Sequence, residues 1–154
     1  MTPEPITPEL RLMTMDDLPV VIRNERRAYS HPWTEGIFAD SMSNQANECW
    51  LLSSRSKIVG HVVMSVGAGE AHLLNVCVNP EFQGHGFGGL LVEHIIGRAR
   101  SRQAATMFLE VRASNQVAYN LYEKLGFNEI GVRRNYYPAY VGREDALVLA
   151  LELV

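Results

Sequence analysis

Hydrophobic positions along this chain change period several times, and each change marks an element. Leu10–Met13 reads as a short strand. Thr14 then precedes Met15-Asp16-Asp17, a helix start with acids in its first turn. Leu18, Val21, Ile22 and Glu25 continue that helix at a spacing of three to four residues, to about Ala28. Ser30-His31-Pro32-Trp33 breaks it, and Thr34-Glu35 opens a second short helix with Ile37, Phe38 and Met42 on one face. Three strand-like runs follow, Glu48–Ser53, Lys57–Val66 and Ala71–Val78. They are separated by Ser54-Arg55-Ser56 and Gly67-Ala68-Gly69-Glu70, turns short enough to predict an antiparallel meander.

Asn79-Pro80 ends the third run, since proline donates no ladder hydrogen bond and pushes its predecessor out of helix. Leu90, Leu91, His94, Ile95 and Arg98 then recur at helical spacing, widened by Ile96 and Ala99, to about residue 102. Ala105–Val111 is a further strand. A strand reached through a helix implies a parallel crossover. Ser114 is read as the cap of a helix carrying Val117, Ala118, Leu121, Tyr122 and Leu125, which Gly126 ends. Phe127–Arg134 and Asp145–Leu153 close the chain as strands, joined by the loop NYYPAYVGRE. The predicted fold class is α/β: a mixed sheet in the order β-α-α-β-β-β-α-β-α-β-β with helices on both faces.

Composition narrows this picture. At 154 residues, with no linker, repeat or low-complexity segment, residues 1–154 are expected to form a single domain. A chain of that size buries roughly 70% of its unfolded surface and needs no staples. No apolar run approaches the ~18–20 residues of a membrane span. The start, MTPEPITPELRLM, lacks a basic segment before an apolar run, so it is expected to be a short lead-in and not a signal peptide. A net charge of −3 gives no electrostatic footprint for nucleic acid. Arginines do cluster locally, at Arg23, Arg26 and Arg27 and at Arg133 and Arg134. Cys49 and Cys77 sit in apolar runs and read as buried free thiols of a reducing, cytoplasmic compartment. The five histidines show no metal-ligand spacing, and no metal is expected.

The chemistry concentrates at Gln83-Gly84-His85-Gly86-Phe87-Gly88-Gly89, four glycines in seven residues between a strand and a helix. That layout aims unsatisfied helix N–H groups at an anion, and glycines let a phosphate come close. The dinucleotide fingerprint does not fit, because Gly84-x-Gly86-x-Gly88 places its third glycine one residue early. The nucleotide P-loop does not fit either, because Gly88-Gly89-Leu90 lacks its lysine and hydroxyl. The spacing that fits is Gln-x-x-Gly-x-Gly, at Gln83, Gly86 and Gly88; an ordinary glycine-rich turn is the alternative.

That spacing resembles the pyrophosphate loop of the Gcn5-related N-acetyltransferases, and the element order resembles their fold over nearly the whole chain. Asn75-Val76-Cys77-Val78, Leu109-Glu110-Val111-Arg112-Ala113-Ser114-Asn115 and Leu121-Tyr122-Glu123-Lys124-Leu125-Gly126-Phe127 are similar to the family's protein N-terminal acetyltransferase branch. His31-Pro32-Trp33-Thr34-Glu35, Arg133-Arg134-Asn135-Tyr136-Tyr137-Pro138 and Gly142-Arg143-Glu144-Asp145-Ala146 resemble members that modify ribosomal proteins. The resemblance implies acetyl-coenzyme A as co-substrate and the N-terminal alanine of a small-subunit ribosomal protein as acceptor. It implies cofactor contacts from Gln83, Gly84, His85, Gly86, Phe87, Gly88, Gly89 and Asn115, and from the backbone of Val76, Cys77 and Val78. One departure stands out. The family usually carries a basic residue within this loop and often another after its last glycine, where this chain has Gly84, His85 and Gly89. Backbone donors would then carry the pyrophosphate.

Acetyl transfer to an amine needs a neutral amine, a stabilised oxyanion and a proton for the departing thiolate. Glu110, between Leu109 and Val111, is the candidate base; apolar walls would make its carboxylate hold a proton more tightly. A solvent-facing strand glutamate is the alternative. Tyr122 is the candidate acid, a phenol suited to protonate a thiolate. Its place on an apolar stripe equally suits a core aromatic. Cys77 is a poor nucleophile, with nothing nearby in sequence to activate it. Trp33, Glu35, Tyr136 and Tyr137 are candidates for gripping a peptide N-terminus, with loop packing as the alternative for the tyrosines. Arg133 and Arg134 would meet acidic substrate residues or be a solvated strand end. Two other functions stay open: a member of the same family acting on lysine side chains or a small-molecule amine, and a non-catalytic acyl-coenzyme A sensor.

Overall fold

A computed structural model describes residues 8–154; the first part of the lead-in lies outside the described residues. Seven strands and four α-helices follow in the predicted order: β1 (Glu9–Leu12), α1 (Leu18–Ala28), α2 (Glu35–Ser43), β2 (Asn47–Ser54), β3 (Lys57–Gly67), β4 (Glu70–Val78), α3 (Phe87–Ser101), β5 (Thr106–Arg112), α4 (Gln116–Lys124), β6 (Asn128–Pro138) and β7 (Arg143–Glu152). The strands form one mixed sheet in the order β1-β2-β3-β4-β5-β7-β6. β4 and β5 pair in parallel from Glu70–Thr106 to Leu73–Leu109, as a crossover through α3 requires.

Three boundaries differ from the sequence pattern. Met15–Asp17 forms a single 3-10 turn before α1, not the helix's first turn. α3 begins at Phe87, so Gly88 and Gly89 lie inside its first turn. β6 and β7 run on through most of the segment expected to be a loop. Tyr136 and Tyr137 are therefore strand residues, and only 139–142 connect the two strands.

The described residues gather into two compact units, one running as far as Val63 and including Asn75–Leu91, the other comprising Met64–Leu74 and Val92–Val154. In the first, Leu18, Val21 and Ile22 of α1 pack with Phe38 of α2 and with Met13, Cys49, Leu51 and Val63; Trp33 and Met42 pack against the same cluster. Thr34 caps α2 by accepting from the Ile37 N–H at 3.3 Å. In the second, Val92, Ile95 and Ala99 of α3, Met107, Leu109 and Val111 of β5 and Leu149 of β7 are buried. The alternation along β5 sends 107, 109 and 111 inward and leaves Phe108, Glu110 and Arg112 on the opposite face.

The β1–α1 junction has an acid-sensitive fastening. Arg11 donates two 2.8 Å hydrogen bonds to the Asp17 carboxylate, which also accepts from the Thr14 N–H at 2.7 Å. These contacts, the guanidinium first, lower the Asp17 carboxyl to about 2. A depressed carboxyl stabilises the fold above its unfolded value of about 4, and the gain disappears as pH falls through the folded value. Arg11→Met should therefore reduce stability at neutral pH and approach the wild type as pH falls below about 2. Denaturant melts across that range would show the two curves converging; a constant offset would rule the fastening out.

Candidate active site

In the first unit, β4 leads into the glycine loop. Asn79 donates its N–H to Val59 O at 2.7 Å, and its side-chain oxygen accepts from the Glu81 N–H at 3.1 Å. This turns the chain away from the strand. Gln83 reaches back and donates through Nε2 to Val78 O at 3.2 Å, fastening the loop to the strand end. Gly84 and Gly86 hold φ of +82° and +81°, the left-handed region in which a side chain is strained. A Cβ on either would meet nothing within 4 Å, so it is backbone conformation, not crowding, that calls for glycine here. Leu90 N–H closes the first helical bond onto Gly86 O at 3.2 Å. The N–H groups of α3's first turn are thus the donors available to an anion. Phe87 is buried and anchors the helix start, while His85 is exposed, its ring centroid 6.1 Å from that of Phe87.

Behind β4 lies a buried polar network that the sequence pattern did not reveal. Glu25, on the apolar stripe of α1, is 2% exposed, and His61 of β3 is fully buried. The Glu25 carboxylate meets His61 Nε2 at 3.1 Å and accepts from Asn75 Nδ2 at 3.2 and 3.3 Å and from the Trp33 N–H at 3.0 Å. Trp33 is thereby held by its backbone, while its ring packs edge-on against Phe38 at 5.2 Å. Glu35 is exposed in the first turn of α2. Tyr29 donates its hydroxyl to Val76 O. Cys77 donates to Asn24 O at 3.7 Å, and burial, helped by Glu25, pushes its thiol strongly upward, which disfavours a thiolate nucleophile. Glu25, His61 and Cys77 each place a ligand atom within 4.8 Å of the others. The Glu25 oxygens already meet His61, Asn75 and the Trp33 N–H, while the Cys77 thiol turns to Asn24 O.

In the second unit, Glu110 is the first β5 residue beyond the β4–β5 register, opposite Val148 of β7. The apolar walls expected around its carboxylate are not what it meets. Arg133 Nε of β6 lies 2.9 Å from Oε1. Hydrogen bonding to Glu110 is the main cause that raises the Tyr136 phenol. Tyr137 is pushed up to about 12 by burial and by Glu110. Tyr122 of α4 is 5% exposed, edge-on to Phe127 at 5.7 Å, and burial raises its phenol strongly, with Tyr137 adding to the effect. The shift keeps the phenol protonated and at the same time makes it a weaker acid than a free tyrosine.

Tyr136 and Tyr137 are consecutive in a strand, yet their rings meet at 4.9 Å. A regular pleat would send them to opposite faces. The register shift between Arg133 and Tyr137 removes the conflict. It is built from Asn135, at φ +52°, whose N–H donates to Asp145 Oδ1 at 2.9 Å. Arg143 donates to Asn135 O at 2.7 Å and to Tyr136 O at 2.8 Å. Beside the bulge, Arg112 lies 4.5 Å over the Tyr137 ring and donates to Glu144 at 2.9 Å and Pro138 O at 2.7 Å. Glu144 also accepts from the Ser114 N–H at 3.2 Å, and its bonds to Arg112 and Ser114 lower its carboxyl. Asn115, not Ser114, caps α4, accepting from the Ala118 N–H at 3.2 Å. Arg112, Arg143, Glu144 and Asp145 thus fix the hairpin and the start of α4. In the sequence they were visible only as parts of motif segments.

Residues 14–127 match the model of the acetyltransferase (GNAT) family. The chain belongs to the GNAT acetyltransferases. Among its GNAT relatives is the [ribosomal protein bS18]-alanine N-acetyltransferase of Escherichia coli K12, 45% identical over 139 residues, covering 89% of this chain and 92% of the relative. The Salmonella typhimurium protein of the same name is 41% identical over 147 residues, covering 94% of this chain and 97% of its own. A crystal structure of the Escherichia coli ribosomal-protein-S18-alanine N-acetyltransferase superposes with a TM-score of 0.90 at 40% identity, covering 96% of this chain and 94% of that one. As a GNAT enzyme the chain is an acyltransferase.

Proposed function

We propose that this chain moves the acetyl group of acetyl-coenzyme A to the N-terminal alanine of ribosomal protein bS18. The observation that carries this reading is the 45% identity, over 89% of the chain, to an Escherichia coli enzyme of that name. The acid–base pair and the Arg133–Pro138 segment of the second unit are consistent with it. Acetyl-coenzyme A would be held by the backbone N–H groups at Gly86–Gly89, with Val76–Val78 and Asn115 as further contacts. The Asn115 side-chain oxygen serves as a helix cap, so Nδ2 is the donor left for the cofactor. Glu110 takes the proton of the α-ammonium. The neutral nitrogen forms a bond to the thioester carbon, the C–S bond breaks, Tyr122 protonates the departing thiolate, and the nitrogen's remaining excess proton leaves to give the amide and restore the phenol. An α-amine has a pKa of about 8 against about 10.4 for lysine, so a larger fraction is already neutral and a modest base suffices. Trp33, Glu35, Tyr136 and Tyr137 would grip the peptide. Buried free Cys49 and Cys77 suit a reducing cytoplasm.

The test is acetylation of a peptide carrying the alanine N-terminus of bS18, read by mass. Expected is one acetyl group on the α-amine and none on the same peptide with its α-amine blocked. Modification of the blocked peptide, or of spermidine in preference to the peptide, would move the substrate to a side-chain or small-molecule amine. Absence of any turnover with bound acetyl-coenzyme A would favour a sensor.

A further inference from the structure

We infer that Arg133 is a positioning residue for catalysis: it holds the Glu110 carboxylate in its working orientation from two strands away. The inference rests on Glu110 being the base. β5 and β6 are not neighbours, since β7 lies between them. Register places Arg112, Ala146 and Arg133 in one row of the sheet and Glu110, Val148 and Gly131 in the next. Arg133 must therefore cross β7 diagonally to reach Glu110. The two β7 residues beneath it are alanine and valine, and Gly131 has no side chain, so a guanidinium can lie across the strand. Its Nε then stands 2.9 Å from Glu110 Oε1.

The guanidinium is itself located from the other side. Its carbon lies 5.6 Å over the Tyr136 ring. Arg133 thus contacts both Glu110 and Tyr136. Without the bulge at Asn135, Tyr136 would face away from Arg133, so the bulge and its fastenings to Asp145 and Arg143 serve this arrangement. A glutamate has three rotatable bonds, and fixing its head removes freedom that would otherwise be lost on the way to the transition state. Arg133 remains half-exposed, its side chain 57% accessible, so its contribution to the fold is small and its replacement leaves the protein folded.

The test uses the full chain with Arg133→Met, Arg133→Lys, Glu110→Gln and the double variant Arg133→Met/Glu110→Gln. Melting temperature, acetyl-coenzyme A affinity and peptide turnover are measured for each. Expected for Arg133→Met is a fall in kcat of about ten- to a hundredfold with cofactor affinity unchanged. Arg133→Lys should recover part of it, since an ammonium keeps the charge but not the planar geometry. In the Glu110→Gln background Arg133→Met should cost nothing further, because a residue acting through Glu110 has no effect once that base is gone. Wild-type kcat in Arg133→Met, with Glu110→Gln impaired, would overturn the inference. So would an equal loss in both backgrounds, or a loss confined to KM for the peptide. Wild-type turnover in Glu110→Gln would instead overturn the assignment of the base itself.

Discussion

Glu110→Gln should lower peptide turnover by about 10²–10⁴-fold, the usual worth of a general base, and leave acetyl-coenzyme A binding nearly unchanged. Glutamine keeps the shape of the side chain and its place in β5 but cannot accept a proton. It also turns the 2.9 Å contact with Arg133 from an ion pair into a weaker bond at best. The glycine loop proposed to hold the cofactor contains none of these atoms. Tyr122→Phe is the companion variant. It keeps the buried ring and its edge-on contact with Phe127, so the fold is retained, and removes only the hydroxyl. Its loss should be smaller than that of Glu110→Gln, because water can substitute for an acid once the thiolate departs. Single-turnover kinetics with a cofactor titration would separate chemistry from binding. Wild-type turnover in either variant removes that residue from the mechanism.

Gly60→Ala should destabilise the protein by about 1–3 kcal/mol or more, the range for overpacking a tight core. A Cβ there would stand 2.5 Å from Cys77 O, 2.9 Å from Leu91 Cδ1 and 3.4 Å from Val78 Cα. The leucine tip can rotate, but the Cys77 carbonyl is backbone and can move only with β4. The same short segment, Val76–Val78, is the backbone assigned to the cofactor's acyl arm, so acetyl-coenzyme A affinity should fall with stability. Gly97→Ala is the control of opposite sign. Gly97 is exposed inside α3 with nothing within 4 Å of a new Cβ, and alanine there gains about 0.5–1 kcal/mol of helix stability. At roughly 2–4 °C per kcal/mol for a domain near this size, thermal melts resolve both changes. Equal melting temperatures for the two variants would show that β4 yields more easily than its packing implies.

The glycine loop and the proposed acid–base pair were read from the sequence on different grounds. The loop's signal is local: Gln83, Gly86 and Gly88 lie within six residues, and strand-to-helix geometry follows from the flanking periods. Glu110 and Tyr122 were legible only through motif segments, since periodicity alone suited a core position for Tyr122. The surroundings of Glu110 were misjudged because its sequence neighbours, Leu109 and Val111, point to the opposite face. Its real partners come from β6, and the bulge that delivers Tyr136 depends on one left-handed residue, Asn135, which no period reveals.

The sequence by itself determined the order of elements, the glycine turn between β4 and α3 and the class of chemistry. These depend on steric rules and side-chain periods that act over a few residues. Only the tertiary structure decided that Glu25 is a buried anchor for His61, Asn75 and the Trp33 backbone, that Gly60 makes room for a neighbouring strand, and that Arg133 reaches Glu110. Each of these joins groups far apart along the chain. Strand register and packing bring such groups together, and no local pattern of hydrophobic and polar residues encodes which partner a side chain will meet.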